Sequence, residues 1–175
     1  MATHQYDSQN LRMINVAVVG RSIPSLIKLA VHNDLHITMI EPTTVDATVE
    51  AIITAKADIT VLEQHNEIVN SDILCLVLAR SYPHNQTIIL SDKVPDFEKL
   101  KATGFRCRGY ITPAQHDKLV KAIRAVNDGE AWLPRRLVGE MLNRFYTNAF
   151  ATENTDKVVG LTRRVDDRMS KNTQL

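Results

Sequence analysis

The chain has 175 residues, 44% hydrophobic and 23% charged, with a formal net charge of +1. That balance fits a soluble globular domain with one sizeable core and room for an appendage, and excludes a molecule drawn to nucleic acid or anionic membrane by bulk charge. Two cysteines without a CxxC spacing, Cys75 and Cys107, give no disulfide framework, and no apolar run approaches the ~20 residues of a membrane span, so a reducing, cytoplasmic setting is expected.

Met1 to Arg12 is polar, has no apolar leader and reads as a lead-in without order. Ile14–Val19 is a buried strand ended by Gly20. A helix is predicted next, capped by Ser22 or Ser25, with Pro24 in its first turn and Leu26, Ile27, Leu29, Ala30 and Val31 on its apolar face. Leu35–Ile40 alternates and is rich in branched residues, a strand broken by Pro42. Val45–Ala55 has helical spacing at Val45, Val49, Ile52 and Ile53.

Ala57–Glu63 is a short strand with Ile59, Val61 and Leu62 as its bulk. Asp72–Arg80 is predicted as a helix with Ile73, Leu74, Leu76 and Val77 inward, stopped at Tyr82-Pro83. Thr87–Leu90 is a strand ending at Ser91. Asp96–Thr103 is a short helix begun by Pro95 and ended by Gly104, and Arg106–Ile111 a further strand. Pro113–Asn127 reads as one amphipathic helix with Leu119, Val120, Ile123 and Val126 on one side, ended by Gly129. After Trp132-Leu133-Pro134, Arg135–Phe150 forms another helix with Leu137, Met141, Leu142, Phe145 and Tyr146 on its apolar side.

Strand and helix alternate five times. Such alternation gives right-handed crossovers onto a parallel sheet covered on both faces: an α/β doubly wound, five-stranded, flavodoxin-like sheet of order 2-1-3-4-5. No GxGxxG and no Walker pattern supports a dinucleotide or nucleotide-triphosphate site. Three segments are expected: a main domain over 13–130, a linker helix over 131–151 and a polar tail over 152–175, too short to form its own core.

In such a sheet, ligands and chemistry collect at the C-terminal ends of the strands. A strand that is apolar throughout and closes on a carboxylate, as Ala57–Glu63 does, is therefore a site candidate; the plainer alternative is an ordinary strand followed by an acidic loop residue. The six histidines (His4, His32, His36, His65, His84 and His116) show no ligand spacing with each other or with cysteine, and no base is evident beside Ser91. No metal, no cofactor and no catalytic residue is assigned.

From Ile14 to about Phe150 the chain resembles the receiver domains of two-component response regulators, in the branch that precedes a LuxR-type helix-turn-helix. The resemblance rests on Ala57–Glu63, similar to the strand carrying the phosphoacceptor; on Thr87–Ser91, similar to the strand ending in the switch Ser/Thr; on the run Gly104-Phe105-Arg106-Cys107-Arg108-Gly109-Tyr110-Ile111; and above all on Lys121 to Arg135. It implies a phosphoacceptor Asp, an acidic pair after the first strand for Mg²⁺ and a Lys after the fifth. Here those positions hold Glu63, Gly20-Arg21, and Thr112 or Pro113; Ser91 and the switch aromatic Tyr110 remain.

Mg²⁺ is usually held by one or two carboxylates plus phosphate oxygens. With Gly20 and Arg21 in place of two acids, neither an Mg²⁺ site nor phosphotransfer is expected. Glu63 carries about one negative charge, against roughly 1.5 to 2 for a side-chain phosphate, so it is at most a partial mimic of a phosphorylated Asp. Two arrangements are open: Glu63 pairs with Arg21 in a charge-assisted bond contributing roughly 1.5–3 kcal/mol, or Arg21 faces solvent.

Val158 to Arg164 resembles the opening of the branch's helix-turn-helix, but little chain follows to brace a recognition helix, so DNA binding by this chain alone is not expected. The expected role is a phosphorylation-independent receiver acting in signal transduction or transcription control through protein contacts. A homodimer or a partner regulator would use Trp132, Leu137, Met141 and Phe145. The alternatives are a DNA-binding regulator of that branch and a small-molecule-binding flavodoxin-like protein.

Overall fold

The structure, a computed structural model, describes residues 13–20 and 31–148. The Met1–Arg12 lead-in, the helix expected after Gly20 together with Arg21, and the tail over 152–175 lie outside the described residues.

Five short apolar runs form the strands: β1 (Ile14–Val19), β2 (Leu35–Ile40), β3 (Ile59–Glu63), β4 (Gln86–Leu90) and β5 (Cys107–Ile111). They pair in parallel in the order β2-β1-β3-β4-β5, the doubly wound arrangement that the strand-helix alternation predicts. The pleat sends alternate residues to opposite faces. On one face Val16, Val18, Ile59, Val61, Ile88, Leu90 and Ile111 pack with Leu119, Ala122, Ile123 and Val126 of helix α4 (Leu119–Asn127). Of the alternate positions, Ala17, Val19, Thr60, Leu62, Thr87, Ile89 and Tyr110 are buried as well.

Local chemistry starts the helices where the chain leaves the sheet. Thr44 caps α1 (Val45–Thr54), Asn70 caps α2 (Ser71–Ser81) through Asp72 N and Ile73 N, and Asp96 caps α3 (Phe97–Ala102) through Lys99 N at 2.8 Å. Asp96 and Thr103, expected inside the third of these helices, are its caps. Lys99 Nζ reaches back to Asp72 Oδ2 at 2.8 Å and ties α3 to α2.

Two expectations are corrected. The inward face of α2 is Ser71, Leu74, Cys75 and Leu78, spaced i, i+3, i+4, i+7, whereas Ile73 and Leu76 are 51% and 38% exposed. Leu74 is inward as expected, and Ser71, Cys75 and Leu78 complete the buried face in place of Ile73, Leu76 and Val77. Pro113–Asn127 is not one helix. Pro113–Lys118 is a 3₁₀ helix with no buried residue and no side-chain cap, and α-helical geometry begins at Leu119, where the apolar period begins.

The chain divides into compact units at Pro134/Arg135. The first includes the return after α4: Trp132 N donates to Arg108 O at 2.8 Å, and Tyr110 N donates to Trp132 O at 3.1 Å, covering the exposed edge of β5. In the second, residues 135–148 form helix α5. Among the described residues no helix is long and apolar enough to cross a membrane.

Arg124 of α4 grips Asp34, in the turn before β2, through Nε at 2.7 Å and Nη2 at 2.9 Å. That hydrogen bond, the largest of several causes, holds the Asp34 carboxyl below the usual carboxylate range. A depressed folded value means that the pair stabilises above the ordinary carboxyl range and that this contribution is lost as pH falls through the folded value. Arg124→Ala is expected to lower stability by about 0.5–1 kcal/mol at neutral pH. Urea denaturation carried down through the carboxylate range should show the gap to the parent closing.

Candidate functional site

Because the strands are parallel, their C-terminal ends emerge at one edge. Val19 is level with Leu62, so Gly20 stands beside Glu63, the last residue of β3. Glu63 is level with Leu90, and Leu90 with Ile111, which brings Ser91 and Thr112 to the same edge. The register thus assembles Gly20, Glu63, Ser91, Thr112 and Pro113. Arg21 lies outside the described residues, and its pairing with Glu63 with it.

The central feature is how Glu63 and Gly20 share space. Gly20 has φ +155°, a conformation side-chain-bearing residues rarely adopt. A Cβ added there would stand 2.5 Å from Glu63 Oε2, 2.6 Å from Cδ and 2.9 Å from Cγ. The half-buried Glu63 side chain therefore folds across the end of β1, into the volume that a side chain at position 20 would fill. Its extra methylene, relative to aspartate, is accommodated because its neighbour has none.

At this edge Gly20 offers no carboxylate, Glu63 is folded over it, and among the described residues no three His, Cys, Asp or Glu side chains converge.

The neighbouring groups are engaged locally. The buried Ser91 Oγ donates to Lys93 O at 2.7 Å and accepts from Lys93 N at 3.3 Å, closing a turn. Thr112 Oγ1 contacts Gln115 Oε1 at 3.4 Å, and Pro113, without an N–H, opens the 3₁₀ helix. Beyond them His65 Nε2 lies 3.2 Å from Asp92 Oδ2, an exposed contact between the loops after β3 and β4. Burial pushes the Cys75 thiol up to about 11 and the Cys107 thiol higher, so both stay protonated, as interior hydrophobes do.

Tyr110 points inward and is buried, its hydroxyl facing Thr103 and Cys107, and burial, the largest cause, raises its pKa. Trp132 is half-buried against the α4 face of the sheet, its backbone paired with β5. Leu137 is buried and Met141 half-buried, while Leu142 and Phe145 are 64% and 52% exposed. What the sequence did not disclose is the part played by Gly20: a glycine after one strand and a glutamate ending another become partners only through the sheet register.

No protein-family model matches the chain, and no curated protein matches it. Solved structures do resemble it. The RcsB response regulator of Salmonella typhimurium is 15% identical with a TM-score of 0.57, over 73% of this chain and 66% of that one. A LuxR-family two-component response regulator from an Aurantimonas species is 15% identical with a TM-score of 0.61, over 77% of this chain and 99% of that one. The response regulator domain of Thermotoga maritima CheB is 18% identical with a TM-score of 0.56, over 67% and 98%. The chain thus spans about two thirds of that RcsB structure and nearly all of the other two. What these structures share with it is the five-stranded receiver fold.

Gly20→Ala is expected to cost about 1 kcal/mol, chiefly from the disfavoured φ, because the Glu63 side chain can swing aside. In a Glu63→Ala background most of that loss should remain, leaving a coupling of about 0.5 kcal/mol in a double-mutant cycle read by denaturation.

Proposed function

We propose that this chain is a receiver-type signalling domain that works without phosphorylation and acts through protein contacts, first of all with a second copy of itself. The observation that carries this reading is the interlocked Gly20 and Glu63 at the place where, by resemblance, a receiver accepts phosphate. Phosphoryl transfer to a carboxylate needs an unobstructed nucleophilic oxygen and a cation to offset the charge that builds on the phosphoryl oxygens. Here the carboxylate is folded over the adjacent strand end, and the residue beneath it has no acid. At that place the chain carries the Glu63 carboxylate, a partial stand-in for a signal that receivers otherwise switch.

Helix α5 supports the choice of self-association. Of the four residues expected to form the contact, Leu137 is buried and Trp132 and Met141 are half-buried; Phe145 is exposed, with Val138 and Leu142 beside it at a spacing of i, i+4, i+7. An apolar stripe with that period suits an isologous helix pair, in which each copy offers the same face to the other.

Incubation with radiolabelled acetyl phosphate and Mg²⁺ is expected to leave the chain unlabelled. Sedimentation at micromolar concentrations should give a dimer that Leu142→Asp converts to monomer. Labelling at Glu63 or a strict monomer would defeat this reading, and a specific gel shift by this chain alone would favour a DNA-binding regulator instead.

A further inference from the structure

Helix α2 buries one face and leaves apolar residues on the other. Ile73 and Leu76, at i and i+3, are exposed, and the exposed Arg80 lies one turn further along the same stripe. The stripe adjoins α3 and the turn that follows it. Leu76 lies over Gly104, where an added Cβ would stand 2.7 Å from its Cδ2. The next residue, Phe105, is half-buried, and its ring meets that of Phe97 with centroids 5.5 Å apart. Asp72 and Lys99, 2.8 Å apart, join the two helices at the start of α2. Phe105 and Arg106 in turn line a cleft with Cys75 and Ala79 of α2 and with Asn85 and Arg108.

Phe105 is a second, independent observation. Its φ is +58°, a conformation that bulky side chains rarely adopt. The C-terminal closure of α3, Gly104 N to Lys101 O at 2.8 Å and Phe105 N to Leu100 O at 3.0 Å, needs a left-handed residue only at Gly104. The chain carries a second one, which sets an aromatic ring at the rim of the α2 stripe. Strained backbone of this kind gathers at binding and switch regions.

The charges beside this surface do not cancel. Asp72 is held by Lys99, and Glu98 lies 4.0 Å from Lys101. Arg80 and Arg106 are exposed and belong to no salt bridge among the described residues. The apolar stripe therefore ends beside two cations outside any ion pair.

We propose that this surface docks an acidic amphipathic helix of another protein. An apolar stripe at i, i+3 or i+4, and i+7 seats on Ile73, Leu76 and Phe105, and carboxylates beyond it meet Arg80 and Arg106. A second copy of this chain is the poorer occupant. Its exposed apolar helix, α5, carries Arg135, Arg136 and Arg144 against Glu140, the same sign of charge as the surface it would meet.

The test uses the full chain and labelled peptides of ~18 residues. One has a leucine stripe flanked by glutamates, one the same stripe flanked by lysines, and one the acidic composition with the stripe scrambled. Fluorescence anisotropy and amide chemical shifts are the readouts. The acidic amphipathic peptide should bind saturably, with shifts concentrated over residues 72–80 and 97–106, and the other two about tenfold more weakly. Ile73→Ser should weaken binding by about tenfold. Arg80→Glu combined with Arg106→Glu should reverse the preference between the glutamate and lysine peptides. All three positions are exposed, so the fold tolerates these changes. Leu142→Asp should leave peptide binding unchanged. Equal affinity for the glutamate and lysine peptides, or binding undisturbed by Ile73→Ser, would overturn the docking surface. Binding lost in Leu142→Asp would move it to α5 and overturn it as well. Tighter binding to phosphatidylglycerol vesicles, lost in the same arginine variant, would replace the helix with an anionic membrane and overturn the assignment.

Discussion

Glu63 and Gly20 occupy one space, and much of the chemistry at the C-terminal edge follows from that exclusion. The strand that ends in Glu63 is buried along its length and cannot shift, because Ile59 to Leu62 are packed on both faces of the sheet. Its neighbour is equally fixed by the β1–β3 register. The carboxylate therefore has little freedom in where it begins, and its side chain lies over the one adjacent residue without a Cβ. Any side chain at position 20 would meet that carboxylate and force a rearrangement of one or the other.

The parallel topology places two sets of polar groups at opposite edges of the sheet. At the C-terminal ends of the strands stand Glu63 and the His65–Asp92 contact, together with hydroxyls from Ser91 and Thr112 that are committed to their own loops. At the N-terminal ends stand Arg106 and Arg108 together with the carboxylates of Asp58 and Glu130, and Asp34 paired with Arg124.

Much of the architecture was legible beforehand. The apolar runs 14–19, 35–40 and 59–62 are short and bounded by breakers, and a buried parallel strand has few other signatures. Thr44, Asn70 and Asp96 begin helices for the usual reason, an oxygen that satisfies free backbone N–H groups. Reading failed where local pattern competed with packing. Ile73 and Leu76 are more hydrophobic than Ser71 and Cys75, yet α2 buries the latter pair. The stretch 113–118 continues a helical run in sequence, but it has no apolar face to bury and tightens into a 3₁₀ turn.

By itself the amino-acid order determined the element types, the parallel sheet and the residue kinds at the strand ends, because hydrophobic period and capping act over a few neighbouring positions. It also showed that acids expected from the resemblance at positions 20 and 21 are missing. Only the tertiary structure decided that Glu63 lies across Gly20, that Ser91 turns to Lys93, and that Arg106, Arg108 and Asn85 share a cleft. The Ser91 turn is local, but the Glu63–Gly20 arrangement and the cleft depend on how residues far apart in sequence, such as 20 and 63, are brought level by strand register. Register is set by the packing of the whole sheet, and no local stretch of sequence encodes it.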